Sequence, residues 1–153
     1  MPRRVARAVV ALTCAFAVAG PIWAGASAPA QAAVRPRQEL LDLINAARER
    51  HDIHPVRLGL RASRVARKHS ARMARNGRVF SSSSGYPYKQ WGENVSCGRS
   101  IKAAHEKVMN SQSARQNLLR ARYRHVGLGI ARSNPRQRAC RRATFWVTEV
   151  FFR

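Results

Sequence analysis

In VGLGIA, residues 126–131, Val126, Leu128 and Ile130 alternate with Gly127, Gly129 and Ala131, the period of two that marks a strand. TFWVTEVFF, residues 144–152, reads as a second strand. Asn134-Pro135 falls between them and breaks any continuing element, so the two strands are expected to pair as an antiparallel hairpin. Upstream the period changes to that of helices. Leu40, Leu41, Ile44 and Ala47 form an apolar stripe in a helix expected from Arg37 to Arg50. Ala62, Val65, Ala66, His69 and Met73 share a face of a second helix from Arg61 to Asn76, which Gly77 stops. Between these two, HDIHPVRLGL is a turn-rich connection in which Pro55 holds His54 extended, and Ile53, Val56 and Leu58 dip back towards the core. Residues 78–92, with four serines, Gly85 and Pro87, read as a loop whose second half is packed down by Tyr86, Tyr88 and Trp91. A third helix is expected from Ser100 to Asn110 and a short fourth within Ser111 to Arg120. Helices first and strands last imply an α+β domain, layered α-β-α around an antiparallel sheet.

The N-terminus has a different character. Arg3, Arg4 and Arg7 precede an apolar run from Ala8 to Ala19, and the small-residue triplet Ala30-Gln31-Ala32 follows, the order of an export signal with its cleavage site. Gly20 and Pro21 interrupt the run, which is too short to span a bilayer. The expected organisation is a signal peptide over 1–32, a linker over 33–37 and one domain over 38–153, with no transmembrane segment after cleavage. Cys14 lies in the signal core, and Ala11, Leu12 and Thr13 match a lipid-attachment site poorly. Cys97 and Cys140 remain. In an oxidising compartment they allow a single intramolecular pairing, and the loop it closes is long enough to be worth roughly 3 to 4 kcal/mol by chain entropy.

The charge is extreme: 29 Lys and Arg stand against 7 Asp and Glu, a net +22, and the basic residues are nearly all arginine. Such a field draws in polyanions and anionic membranes, and a guanidinium matches phosphate and carboxylate groups in a planar fork. Arg132, Arg136, Arg138, Arg141 and Arg142 crowd the segment around Pro135 and are candidates for anion binding at the hairpin tip. A genome rich in G and C would raise the arginine content equally well, so composition leaves both accounts open.

Acidic residues are few enough to weigh singly. Glu39, Asp42 and Glu49 on the first helix are interspersed with arginines and read as surface ion pairs, and Glu149 lies in the last strand. Glu93 differs, because it follows Trp91-Gly92, precedes Asn94 and lies close to Cys97. The five histidines, His51, His54, His69, His105 and His125, include no i, i+4 pair on a helix, and no short cysteine pair exists. Zinc asks for three or four convergent donors, so no metal site is legible. His69, on the apolar face of the second helix, reads as a core histidine bonded to backbone. There is no phosphate-cradling glycine loop or dinucleotide fingerprint.

LLDLINAAR, VARKHSARMARNG, GENVSCG, NSQSARQNLL, VGLGIA and FWVTEVFF, in that order over residues 38–152, resemble the cysteine-rich secretory, antigen 5 and pathogenesis-related (CAP, or SCP) superfamily in its short bacterial form. The resemblance implies an α-β-α sandwich with a central cavity, in which two histidines and two acidic residues commonly hold a divalent metal. Glu93 matches one acidic member. The first histidine would follow Phe80-Ser81, where this chain has Ser82. The second would precede Arg115 and Asn117, where it has Ala114. Glu106 is the candidate for the other acidic member, and Met109 stands where the family often has tryptophan. With both imidazoles gone, a lone carboxylate in a basic protein cannot hold zinc tightly, so neither a metal nor another cofactor is expected. Glu93 is then left to bond Arg115 or to cap backbone donors.

Two functions are consistent with these residues. The first is a secreted, monomeric, non-catalytic binding or structural module, engaging anionic lipid, wall polymer or another polyanion, with an apolar small ligand in the cavity as in relatives linked to sterol or fatty-acid binding. The second is a peptidase-like hydrolase, for which Ser82 or Ser83 with His105 and Glu93 is the set that can be assembled.

Overall fold

The sheet order follows from where the chain can pair. In the computed structural model, which describes residues 28–83, 85–133, 140 and 144–153, with side chains from residue 35 onward, α1 (Ala28–Glu49) is followed by β1 (Arg57–Leu58), α2 (Leu60–Asn76), β2 (Trp91–Gly98), α3 (Ile101–Asn110), α4 (Gln112–Leu118), β3 (His125–Arg132) and β4 (Phe145–Phe152). The four strands lie in the order β1-β3-β4-β2. The expected hairpin is present: β3 and β4 are antiparallel in a register running from His125 opposite Phe152 to Arg132 opposite Phe145. β2 covers the other edge of β4, antiparallel from Trp91 opposite Phe152 to Gly98 opposite Phe145.

Two expectations about the strands need correction. GENVSCG lies in a strand of its own, where the sequence showed only the end of a loop. The reason is that Asn94 and Ser96, on the core side, are polar yet buried, so the hydrophobic alternation that identifies a strand is missing. The sheet is also mixed, not wholly antiparallel, because β1 runs parallel to β3, with Arg57 opposite His125 and Leu58 opposite Val126. Asn45 of α1 holds this entry in place: its Oδ1 accepts from Val56 N–H at 2.9 Å and its Nδ2 donates to Val56 O at 3.2 Å.

α1 starts at Ala28, well before the Arg37 expected, and residues 33–37 lie within it. Ala28 to Ala33 is alanine-rich and Pro29 falls in the first turn, where a missing N–H matters little. Leu40, Ile44 and Ala47 are buried as the stripe required. On α2, Ala62, Ala66, His69 and Met73 are buried with Ser63, Ser70 and Ala74, whereas Val65 is 46% exposed. Serine displaces valine from the buried face because α2 approaches the sheet too closely for a β-branched side chain, and the Ser70 hydroxyl donates to Gly129 O at 3.0 Å.

Helices cover both faces of the sheet. α1, α3 and α4 pack on one, with Leu40, Ile44, Ile101, Ala104, Val108 and Leu118 meeting Val126, Leu128, Val147 and Phe151. α2 lies on the other, where Met73, Cys97 and Trp146 cluster and Ala66 meets Val150 and Tyr86. Cys97 is disulfide-bonded to Cys140, 43 residues on. At the far end Arg48 is fully buried, and its guanidinium donates to the carbonyls of His54 (2.8 Å), Leu118 (2.6 Å), Arg120 (3.3 Å) and Tyr123 (3.1 Å). Burial, and next the charge of Arg124, hold its pKa below the usual arginine range. Carbonyl dipoles thus stand in for a counter-ion, and one side chain joins the ends of α1 and α4.

The α2–β3 contact depends on two glycines. A Cβ at Gly129 would lie 2.1 Å from the backbone carbon of Ala66, and one at Gly127 2.4 Å from the Ala66 neighbour one turn earlier, Ala62 Cβ. Gly129→Ala forces the helix backbone to move and is expected to destabilise the fold by about 3 kcal/mol or more, the upper end for overpacking. Gly85→Ala, whose Cβ would meet nothing nearer than Trp91 at 3.7 Å, is expected to change stability by less than about 0.5 kcal/mol. Urea unfolding of the two variants checks the contrast, and equal midpoints would contradict it.

Candidate functional site

Side chains alternate across β2, so the Gly92-Glu93-Asn94 stretch sends its two polar side chains to opposite faces of the sheet. Glu93 faces the α2 side. Its Oε1 accepts from the Ser82 hydroxyl at 2.5 Å and from the Tyr86 hydroxyl at 2.6 Å, and its Oε2 accepts from Ser82 N–H at 2.7 Å. Three donors therefore converge on one carboxylate. Tyr86 is buried and stands edge-on to Trp91 with ring centroids 5.1 Å apart. Burial, and next its bond to Glu93, raise the Tyr86 pKa well above the phenolic range, so the hydroxyl remains a donor.

α2 delivers Ser82 to this point. Arg72 Nη2 donates to His69 Nδ1 at 3.1 Å, which leaves Nε2 to carry the proton it gives to Phe80 O at 2.7 Å. His69 is thus the backbone-bonded core histidine expected from its place on the helix, and it stacks edge-on against the Phe80 ring at 5.1 Å. With Phe80 held, Ser82 follows two residues later, on top of Glu93. The expected capping of backbone donors by Glu93 is present, whereas the expected bond to Arg115 is absent: Arg115 is exposed on α4, on the other side of the sheet.

Asn94 faces that other side and organises a second set. Its Nδ2 donates to Ala114 O at 2.9 Å and to Glu149 Oε2 at 3.2 Å, and its Oδ1 accepts from Asn117 Nδ2 at 3.3 Å. Ala114 and Asn117 are therefore brought together, but around Asn94 and Glu149 instead of Glu93. Glu106 is exposed on α3 and joins neither group. Arg132 is exposed, its guanidinium 4.9 Å from the centre of the Phe145 ring, while Arg136, Arg138, Arg141 and Arg142 lie outside the described residues.

Two chemical readings fail on this arrangement. The residues do not fit a metal of the kind the resemblance implies: Ser82 and Tyr86 hydroxyls occupy the Glu93 carboxylate, Ala114 offers no side-chain donor, and Glu106 points elsewhere. Among the described residues no three His, Cys, Asp or Glu side chains converge as a metal site. The hydrolase set fails too, because Ser82 and Glu93 lie on the α2 side and His105 is buried on α3, on the opposite face. Burial, and next Arg50, lower the His105 pKa, and its Nδ1 has no partner among the described residues.

Glu149 is the residue that sequence reasoning undervalued. It is wholly buried, and among the described residues Asn94 is its single hydrogen-bond donor and its Oε1 has no partner. Desolvation pushes its pKa from 4.5 up to about 7, against the smaller opposing effect of the Asn94 bond. The signal was available in the period of two: Val147, Glu149 and Phe151 fall on one face of the strand, and its neighbours on that face are core.

The folded state holds the Glu149 proton more tightly than the unfolded chain, so this group lowers stability as pH rises from 4.5 through about 7. Glu149→Gln keeps an acceptor for Asn94 and removes the ionisation. Its stability relative to the unsubstituted protein is expected to grow by about 3 kcal/mol between roughly pH 5 and pH 8, read by urea unfolding at each pH. The comparison is made as a difference because His105, with its lowered pKa, contributes a slope of opposite sign below its ordinary value. A difference that stays flat with pH would contradict the assignment.

Residues 41–151 match the model of the cysteine-rich secretory protein (CAP) family. Among solved structures, an extracellular protein of Bacillus anthracis containing an SCP domain superposes with a TM-score of 0.64 at 23% identity, over 84% of this chain and 45% of that one. An outer surface protein of Borrelia burgdorferi gives 0.62 at 12% identity, over 78% and 93%. A cysteine-rich secretory protein of Staphylococcus aureus gives 0.52 at 16%, over 77% and 38%. The chain thus spans less than half the length of the first and third of these. No curated protein matches it by sequence.

Proposed function

The chain belongs to the cysteine-rich secretory protein (CAP) family, and from that premise we propose that it is a secreted, non-catalytic binding module whose cationic surface engages anionic lipid or anionic wall polymer. The observation that carries this reading is the state of Glu93. A carboxylate that accepts from Ser82 N–H, the Ser82 hydroxyl and the Tyr86 hydroxyl is a structural anchor, which fixes the loop after α2 onto β2. What remains for function is the surface, and the surface is dominated by charge: the chain carries a net +22, of which Arg3, Arg4 and Arg7 in the signal segment supply only three. Arginine forks suit the phosphates and carboxylates of envelope polymers and lipid headgroups.

The N-terminal sequence supports export, and the similar proteins described as extracellular or outer-surface are consistent with it. Among the described residues no helix is long and apolar enough to cross a membrane. Attachment to an envelope through the surface field, as a monomer, would weaken with salt.

Co-sedimentation tests this directly. The protein is expected to pellet with phosphatidylglycerol vesicles and not with phosphatidylcholine vesicles, and to be released as salt rises from about 0.05 to about 0.5 M, where the screening length falls to a few ångströms. Equal binding to both vesicle types, or binding indifferent to salt, would overturn the reading.

A further inference from the structure

β1 is two residues long, and β3 is eight. β1 pairs only with His125 and Val126, so beyond Val126 the outer edge of β3 has no neighbouring strand among the described residues. The groups on that edge follow from the ladder. Arg57 and Gly59 donate to Arg124 O and Val126 O, and Ser63 Oγ accepts from Leu128 N–H at 3.0 Å, so even-numbered residues face outward. Leu128 C=O, Ile130 N–H and C=O, and Arg132 N–H are the next groups along it.

This edge forms the bottom of a groove of about 300 Å³ between α1 and α2. Leu128 and Ile130 give it an apolar floor on the α1 side, and Leu60, 65% exposed, gives it an apolar rim on the other. Arg37 from α1 and Arg64 and Arg67 from α2 line its walls. None of these three guanidinium groups has a hydrogen bond or ion pair with a described residue. A row of backbone donors and acceptors, apolar side-chain pockets and unpaired guanidinium groups therefore share one channel.

We propose that this groove is a binding site for an extended acidic peptide, which adds to the sheet as a strand against β3. Strand addition supplies partners for the Ile130 and Arg132 edge groups, and the alternation of the incoming strand sorts its side chains. Acidic side chains on one face meet Arg64 and Arg67, and apolar ones on the other lie over Leu128 and Ile130. The edge from Leu128 to Arg132, with no described strand beside it, is roughly 15 Å long and takes four or five residues. A second copy of this chain does not fit, since pairing two such edges would bring together six arginines on proteins of net +22. The basic N-terminal segment of the chain itself has the wrong sign as well. The site goes beyond the surface attachment proposed above and does not depend on it.

The test uses fluorescence polarisation of a labelled peptide, acetyl-Glu-Val-Glu-Val-Glu-Val-amide, with the full chain. Saturable binding is expected, with the same peptide methylated at every backbone nitrogen binding at least about tenfold more weakly despite equal charge. Arg64→Ala with Arg67→Ala is expected to weaken the parent peptide about tenfold or more, while Arg120→Ala with Arg122→Ala, an equal loss of charge elsewhere, leaves it unchanged. Amide shifts of Ile130 and Arg132 on titration report the edge itself and need no variant. Equal binding of the methylated peptide, equal weakening by both arginine pairs, or unshifted edge amides would each overturn the proposal. So would failure of the peptide to bind while phosphatidylglycerol vesicles depend on Arg64 and Arg67, which would make the groove a lipid-headgroup site.

Discussion

The structure depends on how closely α2 can lie on β3. Gly127 and Gly129 present bare backbone to Ala62 and Ala66, and the helix settles where any side chain on the strand would collide with it. Ser63 and Ser70 turn that proximity into polar contacts, with Ser63 Oγ accepting from Leu128 N–H and donating to Gly59 O, and Ser70 Oγ donating to Gly129 O with the Thr148 hydroxyl 2.9 Å away as its second partner. A helix seated this low carries consequences at both ends. At one, His69 reaches Phe80 O and so fixes the position of Ser82. Along its length, Arg64 and Arg67 are set beside the edge of β3 that no described strand pairs.

The sheet then acts as a partition. Glu93, Ser82 and Tyr86 lie on the α2 side; Asn94, Ala114, Asn117 and Glu149 lie on the other, under α4. Hydrogen bonds hold each set together, and among the described residues neither contains a histidine or a cluster of metal donors. Two carboxylates on adjacent strands nonetheless have different surroundings. Glu93 accepts from three donors, whereas Glu149, wholly buried, has one amide donor among the described residues and favours its proton. The difference comes from which side of the strand each occupies.

Much of the fold was legible in the sequence because it rests on periodicity. The hairpin, the buried stripe of α1 and most of the buried face of α2 follow from period and turn residues, and the Cys97–Cys140 bond follows from there being two cysteines left to pair. What was not legible has physical causes. β2 was hidden because Asn94 and Ser96 are polar residues in buried positions, and β1 because two residues carry no period. Val65 was misplaced because close helix–sheet packing favours small and hydroxylated side chains over apolar ones. For the site, the replacement of imidazoles by Ser82 and Ala114 could be read from the resemblance. That Ser82 and Tyr86 would seal the carboxylate, and that Asn94 would gather Ala114, Asn117 and Glu149, required knowing which face each residue takes. The edge groove needed the strand lengths themselves.

The claim on which the functional account rests is that Glu93 is sealed into the fold as an anchor for the loop after α2. Titration calorimetry of zinc into the full chain near neutral pH tests it most directly. The account predicts no saturable one-to-one heat, and the same trace from Glu93→Gln; a one-to-one isotherm that disappears with Glu93→Gln would contradict it.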